Sequence, residues 1–304
     1  MNPSYVEELH ALPTPAEFAR FVQRNRPVVF RGLGFELAIP ALKKWDESYL
    51  REKLGESELK IAATPLGNAD SLVNETFVEP AYLSMTMNTF LDRMKEKKAD
   101  EVLYLQSQND NLHEELKDLL DDATSDIPFA TEVFGAQPDV ANVWIGDDRS
   151  VTSVHKDPYE NLYLVVHGTK TFHLLPLTEF YCLHERLYST ASYKRASQGE
   201  WSIERHDSQI PWIPIDPAES VDLERFPRFK HAQVLTVTLS RGDVLYLPAL
   251  WFHRVSQTAS RDPQAPLAVA VNWWYDLAYD SPTWTLSNLV RKMTLALDGR
   301  VEET

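Results

Sequence analysis

The second half of the chain is divided by glycines and prolines into short apolar segments, and this pattern restricts the fold more than any other feature. Eight segments after Pro138 have the length and composition of strands: residues 140–145, 152–156, 162–166, 171–175, 234–239, 243–247, 252–257 and 267–274. Gly146, Gly168 and Gly242 lie where turns are expected. Closely spaced strands with short turns are typical of an antiparallel sandwich or barrel. The sequence therefore predicts a mainly β protein.

The first 125 residues show a different pattern, in which helices alternate with isolated strands. Thr14-Pro15-Ala16-Glu17 predicts a helix start, because threonine can cap the helix, proline suits its first turn and glutamate completes a capping box. This helix is expected to continue to about residue 25 and to lead into a strand between Pro27 and Gly32. Further helices are predicted near 46–54, 86–97 and 111–121, and further strands near 58–63 and 101–107.

We predict a single compact unit with three parts. Residues 1–125 form a helix and strand region that packs on the barrel, residues 126–280 form the barrel, and residues 281–304 hold a C-terminal helix. Residues 176–233 are rich in proline, tryptophan and charge, and they are predicted to form an irregular insertion between two barrel strands.

A histidine and an aspartate stand two residues apart in VTSVHKDPYENLYLVV, which otherwise alternates like a sheet. Side chains i and i+2 of a strand share a face, so His155 and Asp157 are expected to point together and Lys156 to the opposite side. This arrangement fits either a polar strand edge or the first two ligands of a metal. A second His-x-Glu motif, at His113, lies in a helical pattern in which i and i+2 diverge.

His253 is the candidate third ligand, because it begins a strand after the turn in GDVLYLPALWFH. Two histidines and one carboxylate form the facial triad of non-haem Fe(II) oxygenases, which leaves coordination positions open. Zinc accepts the same ligands, so the residues alone leave the metal open. The alternative reading of His253 is a core histidine beside Trp251 and Phe252.

An iron oxygenase that uses 2-oxoglutarate also needs a cation for the distal carboxylate of this co-substrate, assisted by hydroxyl donors. Lys170 begins the strand after the turn at Gly168, and Thr152 lies three residues before His155. Tyr104 offers a phenol in the apolar strand EVLYLQ. The alternative readings are an exposed turn lysine for Lys170 and a core aromatic for Tyr104.

Two asparagines interrupt apolar strands, Asn272 in LAVAVNWWY and Asn161 in NLYLVV. An unpaired buried amide costs about 1–3 kcal/mol. Each amide is therefore expected to have a dedicated hydrogen-bond partner, which is either backbone or a bound ligand.

Charge and composition restrict the partners and the compartment. The 30 basic and 45 acidic residues give a net charge of −15, which repels nucleic acid and anionic membranes, attracts basic partners or simply keeps the protein in solution. No segment approaches the roughly 20 apolar residues of a membrane span, and the N-terminus lacks a secretory pattern. The lone Cys182 fits a reducing compartment. We expect no membrane and no direct nucleic-acid partner, and predict a cytoplasmic location with the nucleus as a second compartment.

Together these motifs resemble the Jumonji C (JmjC) 2-oxoglutarate oxygenases, and among them the branch of small hydroxylases. The resemblance is carried by RPVVFRG, YLQ, VTSVHKDPYENLYLVVHGTK, PWIPIDP, GDVLYLPALWFH and VNWWYD, and it extends over nearly the whole chain. It implies a double-stranded β-helix, a cupin-like jelly roll with helices around it. It also implies Fe(II), 2-oxoglutarate as co-substrate, and O2.

The resemblance gives each candidate residue a role. It implies three iron ligands: His155, Asp157 and His253. It implies a 2-oxoglutarate pocket formed by Tyr104, Thr152, Asn161, Lys170 and Asn272. It implies peptide-substrate contacts from Gln106 and Tyr159.

The activity that the resemblance implies is hydroxylation of a lysine in another protein, namely (3S)-lysyl hydroxylation of a developmentally regulated GTP-binding protein. One alternative with related chemistry is a histone lysine demethylase. Histone-tail processing is a further alternative, although the three ligands provide no obvious nucleophile. An alternative from another class is a non-catalytic cupin-like binding domain.

The C-terminal segment 283–297 has helical periodicity and an apolar stripe: Trp284, Leu286, Leu289, Val290, Met293 and Leu297. A terminal helix can simply cover the barrel. The stripe is broad for one docking face, however, and related hydroxylases pair through their C-terminal helices. We therefore predict a two-fold homodimer through this helix.

Overall fold

Two facing β-sheets form the centre of the computed structural model, which describes residues 4–196 and 199–300. The strands are, in chain order, β1 (Glu7–Leu9), β2 (Val28–Phe30), β3 (Glu58–Thr64), β4 (Asn68–Ala69), β5 (Ser71–Val73), β6 (Thr76–Glu79), β7 (Ala81–Thr86), β8 (Val102–Tyr104), β9 (Val140–Gly146), β10 (Val151–His155), β11 (Tyr159–His167), β12 (Thr169–Leu175), β13 (Arg186–Arg195), β14 (Trp201–Trp212), β15 (Leu235–Ser240), β16 (Val244–Leu247), β17 (Phe252–Thr258) and β18 (Ala268–Asp276). The α-helices are α1 (Pro15–Gln23), α2 (Leu33–Glu36), α3 (Ala41–Lys44), α4 (Glu47–Leu54), α5 (Met87–Glu96), α6 (Leu120–Ala123), α7 (Pro128–Phe134) and α8 (Pro282–Leu297). Described 3₁₀ helices cover Lys117–Leu119, Leu177–Cys182 and Pro227–His231.

The eight predicted barrel strands are divided equally between the two sheets. One sheet has the order β1-β2-β16-β11-β18-β9, and the other has the order β15-β12-β17-β10-β4. The barrel strands pair antiparallel throughout, and side chains such as Phe172, Leu245 and Trp251 fill the space between the sheets. The jelly-roll fold class is therefore confirmed, and each predicted strand is present within two or three residues of its expected bounds.

The N-terminal region covers the outer face of the six-stranded sheet. The capping box of α1 is present, because Thr14 Oγ1 accepts from Glu17 N at 3.2 Å and Glu17 Oε2 accepts from Thr14 N at 2.8 Å. Phe18 of α1 is fully buried against Phe129 of α7 and Tyr246 of β16. The boundaries at residues 125 and 280 remain predictions.

Two smaller sheets, β7-β3-β8 and β14-β13-β6-β5, flank the barrel. The three-stranded sheet meets the barrel where Leu105 pairs with Ile145 of β9, so Tyr104 is delivered to the barrel interior. Short strand β4 joins the barrel directly, parallel to β10. Segments outside the jelly roll therefore contribute to its open end.

The predicted helix over 111–121 is wrong for most of its length, since only a 3₁₀ turn and the short α6 form there. The buried side chain of Asn111 binds backbone instead: its amide donates to Ser107 O and Val143 O, and its carbonyl accepts from Val143 N. These bonds tie the segment to β9 and hold it out of a regular helix.

The predicted irregularity of 176–233 is also wrong in part, because β13 and β14 form a long hairpin within it. β13 pairs in parallel with β6 and buries Tyr188, Ala191 and Tyr193. β14 lies at the sheet edge and is mostly exposed, so its polar composition concealed the strand pattern.

Helix α8 packs on the 3₁₀ helix Leu177–Cys182 with one face and leaves the other exposed. Val290 and Trp284 contact apolar clusters of the barrel, whereas four side chains of the predicted stripe are 42–74% exposed: Leu286, Leu289, Met293 and Leu297. Neither α8 nor any other described helix has the length and apolar character needed to cross a bilayer.

We expect Leu289→Arg to dissociate the predicted homodimer, because the two-fold contact would bring the new charge into an apolar interface on both subunits. Light scattering after size exclusion gives the mass of each species. Leu223→Arg, at a comparably exposed leucine in a loop, is the control that should leave the mass unchanged. A wild-type protein that is monomeric at micromolar concentration would contradict the prediction.

Candidate functional site

Three candidate metal ligands meet where β10 pairs with β17. His155 stands directly opposite His253, yet Thr152 stands opposite Val255, so β10 has one residue more than β17 over this interval. Such a bulge re-aims the side chains that follow it. Asp157 lies just beyond β10, and its carbonyl accepts from Leu250 N at 2.9 Å.

The hydrogen bonds of the two histidines leave one ring nitrogen of each available. His155 Nδ1 lies 2.8 Å from Ser153 O, and His253 Nδ1 lies 3.0 Å from Trp251 O. A carbonyl only accepts, so both Nδ1 atoms carry the proton. Each Nε2 lies 3.6 Å from Asp157 Oδ2, and the three ligand atoms all lie within 4.8 Å of one another.

The charges of these groups are strongly coupled. Burial lowers the pKa of His155, but the charge and hydrogen bond of Asp157, the carbonyl of Ser153 and the charge of Asp70 together outweigh this effect and hold that pKa above its usual value. Burial, together with the charge of the neighbouring His155, lowers the pKa of His253 to about 4. Burial raises the pKa of Asp157, but the two histidines more than offset it and hold that pKa below its usual value. An ionised carboxylate and two imidazole nitrogens on one side fit a divalent cation such as Fe(II) or Zn(II).

Lys156 points away from the three ligands, as its place in the strand predicts. Its ammonium lies 5.4 Å from the ring centroid of Phe252 and 5.9 Å from that of Phe180. Both rings belong to an apolar cluster separate from the one between the sheets.

The two asparagines bind each other rather than backbone. Trp144 Nε1 donates to Asn272 Oδ1 at 2.8 Å, and Asn272 Nδ2 donates to Asn161 Oδ1 at 3.2 Å. No described residue accepts from the Asn161 amide nitrogen, and Asn161 lines the cavity beside the ligands. This nitrogen is therefore available to a ligand.

Lys170 is fully buried in β12. Its ammonium donates to Tyr104 Oη at 3.0 Å and to Gln257 Oε1, and Gln257 Nε2 donates to Asp147 O at 2.7 Å. No described carboxylate pairs with this ammonium, and burial lowers the pKa of Lys170 to about 7. Burial also raises the pKa of Tyr104, which therefore keeps its proton and can donate it.

Gly146 lets Tyr104 and Gln257 approach the same point. A Cβ atom there would lie 2.6 Å from Tyr104 Cδ2 and 2.6 Å from Gln257 Nε2, which is closer than real contacts allow. Gly146 was expected in a turn, and Gln257 was not among the predicted site residues. The signal for Gln257 was its position four residues after His253, on the same face of β17.

The central cavity lies between these groups. Its lining consists of Tyr104, Gln108, Trp144, Thr152, His155, Asp157, Asn161, Tyr163, Phe172, His253, Val255, Asn272 and Trp274. Lys170 lies just behind it, with its ammonium 5.3 Å and 6.0 Å from the ring centroids of Tyr104 and Tyr163.

The two predicted peptide contacts, Gln106 and Tyr159, differ in their position relative to the cavity. Gln106 is buried and does not line the cavity, whereas Gln108 does. Tyr159 stacks on Trp274, with ring centroids 4.8 Å apart, and so lies at the cavity wall. The roles of both residues remain predictions.

Comparison with known proteins agrees with this geometry. The profile of the family described as "Cupin-like domain" matches residues 14–281. A human protein described as "Bifunctional peptidase and (3S)-lysyl hydroxylase JMJD7" is 40% identical over 282 residues, which cover 91% of this chain and 86% of the relative. "Lysine-specific demethylase JMJ32" of Arabidopsis thaliana is 36% identical, with 90% and 83% covered. "JmjC domain-containing protein E" of Dictyostelium discoideum is 34% identical, with 88% and 83% covered.

We expect Asp157→Ala to weaken Mn(II) binding, measured by calorimetry, by more than about 100-fold, because losing a direct ligand exceeds the 10–100-fold effect of losing an outer partner. Circular dichroism should show an intact fold, since the removed carboxylate is not part of the apolar core. Asp118→Ala, at an exposed aspartate, is the matched control. Wild-type affinity in Asp157→Ala would exclude this carboxylate as a ligand.

Proposed function

The chain belongs to the cupin-like family and, within it, to the JmjC oxygenases, and from this premise we propose that it is a protein lysyl hydroxylase. JmjC oxygenases use Fe(II) and 2-oxoglutarate. The observation that carries the proposal is the buried ammonium of Lys170, which has no described carboxylate partner and lies behind a cavity lined by two imidazoles and a carboxylate. Burying a cation without a counter-charge is costly, and an anionic co-substrate would supply that charge.

When bound, Fe(II) supplies the oxidising chemistry together with 2-oxoglutarate and O2, so that the co-substrate is converted to succinate and CO2 while one oxygen atom enters a substrate C–H bond. His155, Asp157 and His253 would hold the ion. The ammonium of Lys170 would pair with the distal carboxylate of 2-oxoglutarate, with hydroxyl groups from Tyr104 and Thr152 as further donors. The free Asn161 amide would donate to the same molecule.

Aromatic side chains form part of the cavity wall, and their role differs from that of the polar groups. Trp144, Tyr163 and Phe172 line it and belong to the buried cluster between the two sheets. They would keep bulk water from the reacting atoms and hold the target carbon in place. The chain needs no general base for this reaction.

A lysine in another protein is the substrate that we propose. Support comes from the human relative, whose description includes (3S)-lysyl hydroxylase, and from the net charge of −15, which suits a basic target. A developmentally regulated GTP-binding protein is the first candidate to test, and the cytoplasm is the proposed location, with the nucleus second. The Arabidopsis relative is described as a lysine-specific demethylase, so demethylation is the second candidate activity.

We expect the affinity for 2-oxoglutarate to depend on pH through Lys170. 2-Oxoglutarate binds the ammonium form of Lys170, whose pKa is about 7 in the protein without co-substrate. The affinity for 2-oxoglutarate is therefore highest below about pH 7 and falls about tenfold per pH unit above it. Lys170→Ala should bind weakly at every pH, because breaking a buried ion pair costs about 3–5 kcal/mol. Calorimetry with Mn(II)-loaded protein measures both effects.

Lys43→Ala, at an exposed lysine, should behave like the wild type in the same titrations. An affinity for 2-oxoglutarate that is constant across this pH range, and unchanged in Lys170→Ala, would show that another cation holds the co-substrate.

The activity itself is tested by incubating the protein with a proteome extract, Fe(II), ascorbate and 2-oxoglutarate, followed by peptide mass spectrometry. We expect lysine residues that gain 16 Da with the wild type and not with Asp157→Ala. Loss of methyl groups from lysine would support the demethylase instead, and new peptide termini would support processing. No change in any peptide would favour a non-catalytic binding domain.

A further inference from the structure

Asp70 directly follows strand β4, which pairs with β10 beside the central cavity, and it was not among the predicted site residues. Strand β4 runs parallel to β10, and Ala69 stands opposite Thr152, which lines the cavity. Ser153 Oγ donates to Asp70 O at 2.5 Å, which fixes the backbone of Asp70 against β10. The carboxylate is close enough to His155 for each to shift the pKa of the other.

The carboxylate of Asp70 has no cationic side chain to neutralise it. In residues 4–196 and 199–300, no lysine or arginine forms an ion pair with Asp70 or with Glu79. Because Ser71 pairs with Val78, Glu79 follows in the position facing Asp70. Burial and the charge of Glu79 raise the pKa of Asp70 to about 6, so this carboxylate is still ionised at neutral pH.

Among the described residues, lysine and arginine side chains stay outside the cavity lining. Lys156 points to the far side of β10, and Lys170 lies behind the wall. The carboxylate of Asp70, on the segment paired with β10, therefore has no competing lysine or arginine at the cavity in the described residues.

A buried donor on a residue that lines the cavity has no acceptor in the described part of the chain. Trp274 lines the cavity and is 5% exposed, yet its indole Nε1 has no acceptor among the described residues. A buried donor without a partner costs about 1–3 kcal/mol. A carbonyl oxygen of a bound peptide would satisfy it.

We propose that Asp70 selects the substrate by accepting a hydrogen bond from the ammonium of its target side chain, while the Trp274 indole N–H donates to the peptide backbone; this inference rests on the proposed function. Asp70 is a specificity residue in this account and does not hold the metal. Glu79 adds to the attraction from its exposed position beside Asp70. The substrate class is a peptide with an unmodified or methylated basic side chain, and neutral side chains of the same length are rejected.

The test compares binding of fluorescein-labelled deca-lysine to protein loaded with Mn(II) and 2-oxoglutarate under nitrogen, measured by anisotropy. Asp70→Asn keeps the size of the side chain and its tolerance of the left-handed backbone at φ 52°, and removes only the charge. We expect its affinity to fall about tenfold or more, as for a charge-assisted hydrogen bond. Asp118→Asn removes one charge at an exposed aspartate and should bind like the wild type, and Asp70→Glu should recover part of the affinity.

Steady-state kinetics distinguish a loss of substrate selection from general damage to the site. In Asp70→Asn, KM for a peptide with the target lysine should rise while kcat changes little, which general damage to the site would not produce. The proposal is overturned if Asp70→Asn binds deca-lysine as tightly as Asp118→Asn does, or if its kcat falls while KM is unchanged. Failure of the proposed function is recognised separately: the wild type would hydroxylate no lysine while Asp70-dependent binding persisted.

Discussion

The pairing of β10 with β17 across one extra residue is the constraint on which the rest of the site depends. It places His155 beside His253, with ring centroids 4.2 Å apart and the rings tilted by 53°, and brings Asp157 within 3.6 Å of both Nε2 atoms. The carbonyls of Ser153 and Trp251 then fix both rings in the tautomer that leaves Nε2 free. Shifting this register by one residue would turn the ligands toward the opposite face of the sheet.

Two side chains of opposite charge, Lys170 and Asp70, lie on different strands or segments beside the cavity. The buried ammonium of Lys170 lies behind the cavity wall formed by Tyr104 and Tyr163, and Asp70 lies beside β10, the strand that carries His155. In our proposals an anionic co-substrate pairs with Lys170 and a cationic side chain pairs with Asp70, so neither binds in the place of the other. This separation lets one narrow cavity accept two molecules of opposite charge.

Local patterns in the sequence predicted the barrel well, because each strand is short, apolar and bounded by turn residues. The candidate ligands could be identified because His155 and Asp157 share a strand face and His253 begins another strand. Other features depend on contacts that are distant in sequence. The side chain of Asn111 bonds to the backbone of β9, and the predicted helix does not form there. The positions of Gln257 and Asp70 near the site depend on the strands that lie beside them in the fold, which the sequence does not show. The polar edge strand β14 lacks the alternation that identifies a strand.

We propose that the chain inserts one oxygen atom from O2 into a lysine side chain. Turnover under ¹⁸O₂ with Fe(II), 2-oxoglutarate and a lysine substrate tests it most directly. We expect one labelled oxygen atom in the lysine product and one in succinate, in equal amounts. Lysine oxygen derived from water, or succinate formed with label while lysine remains unmodified, would contradict it.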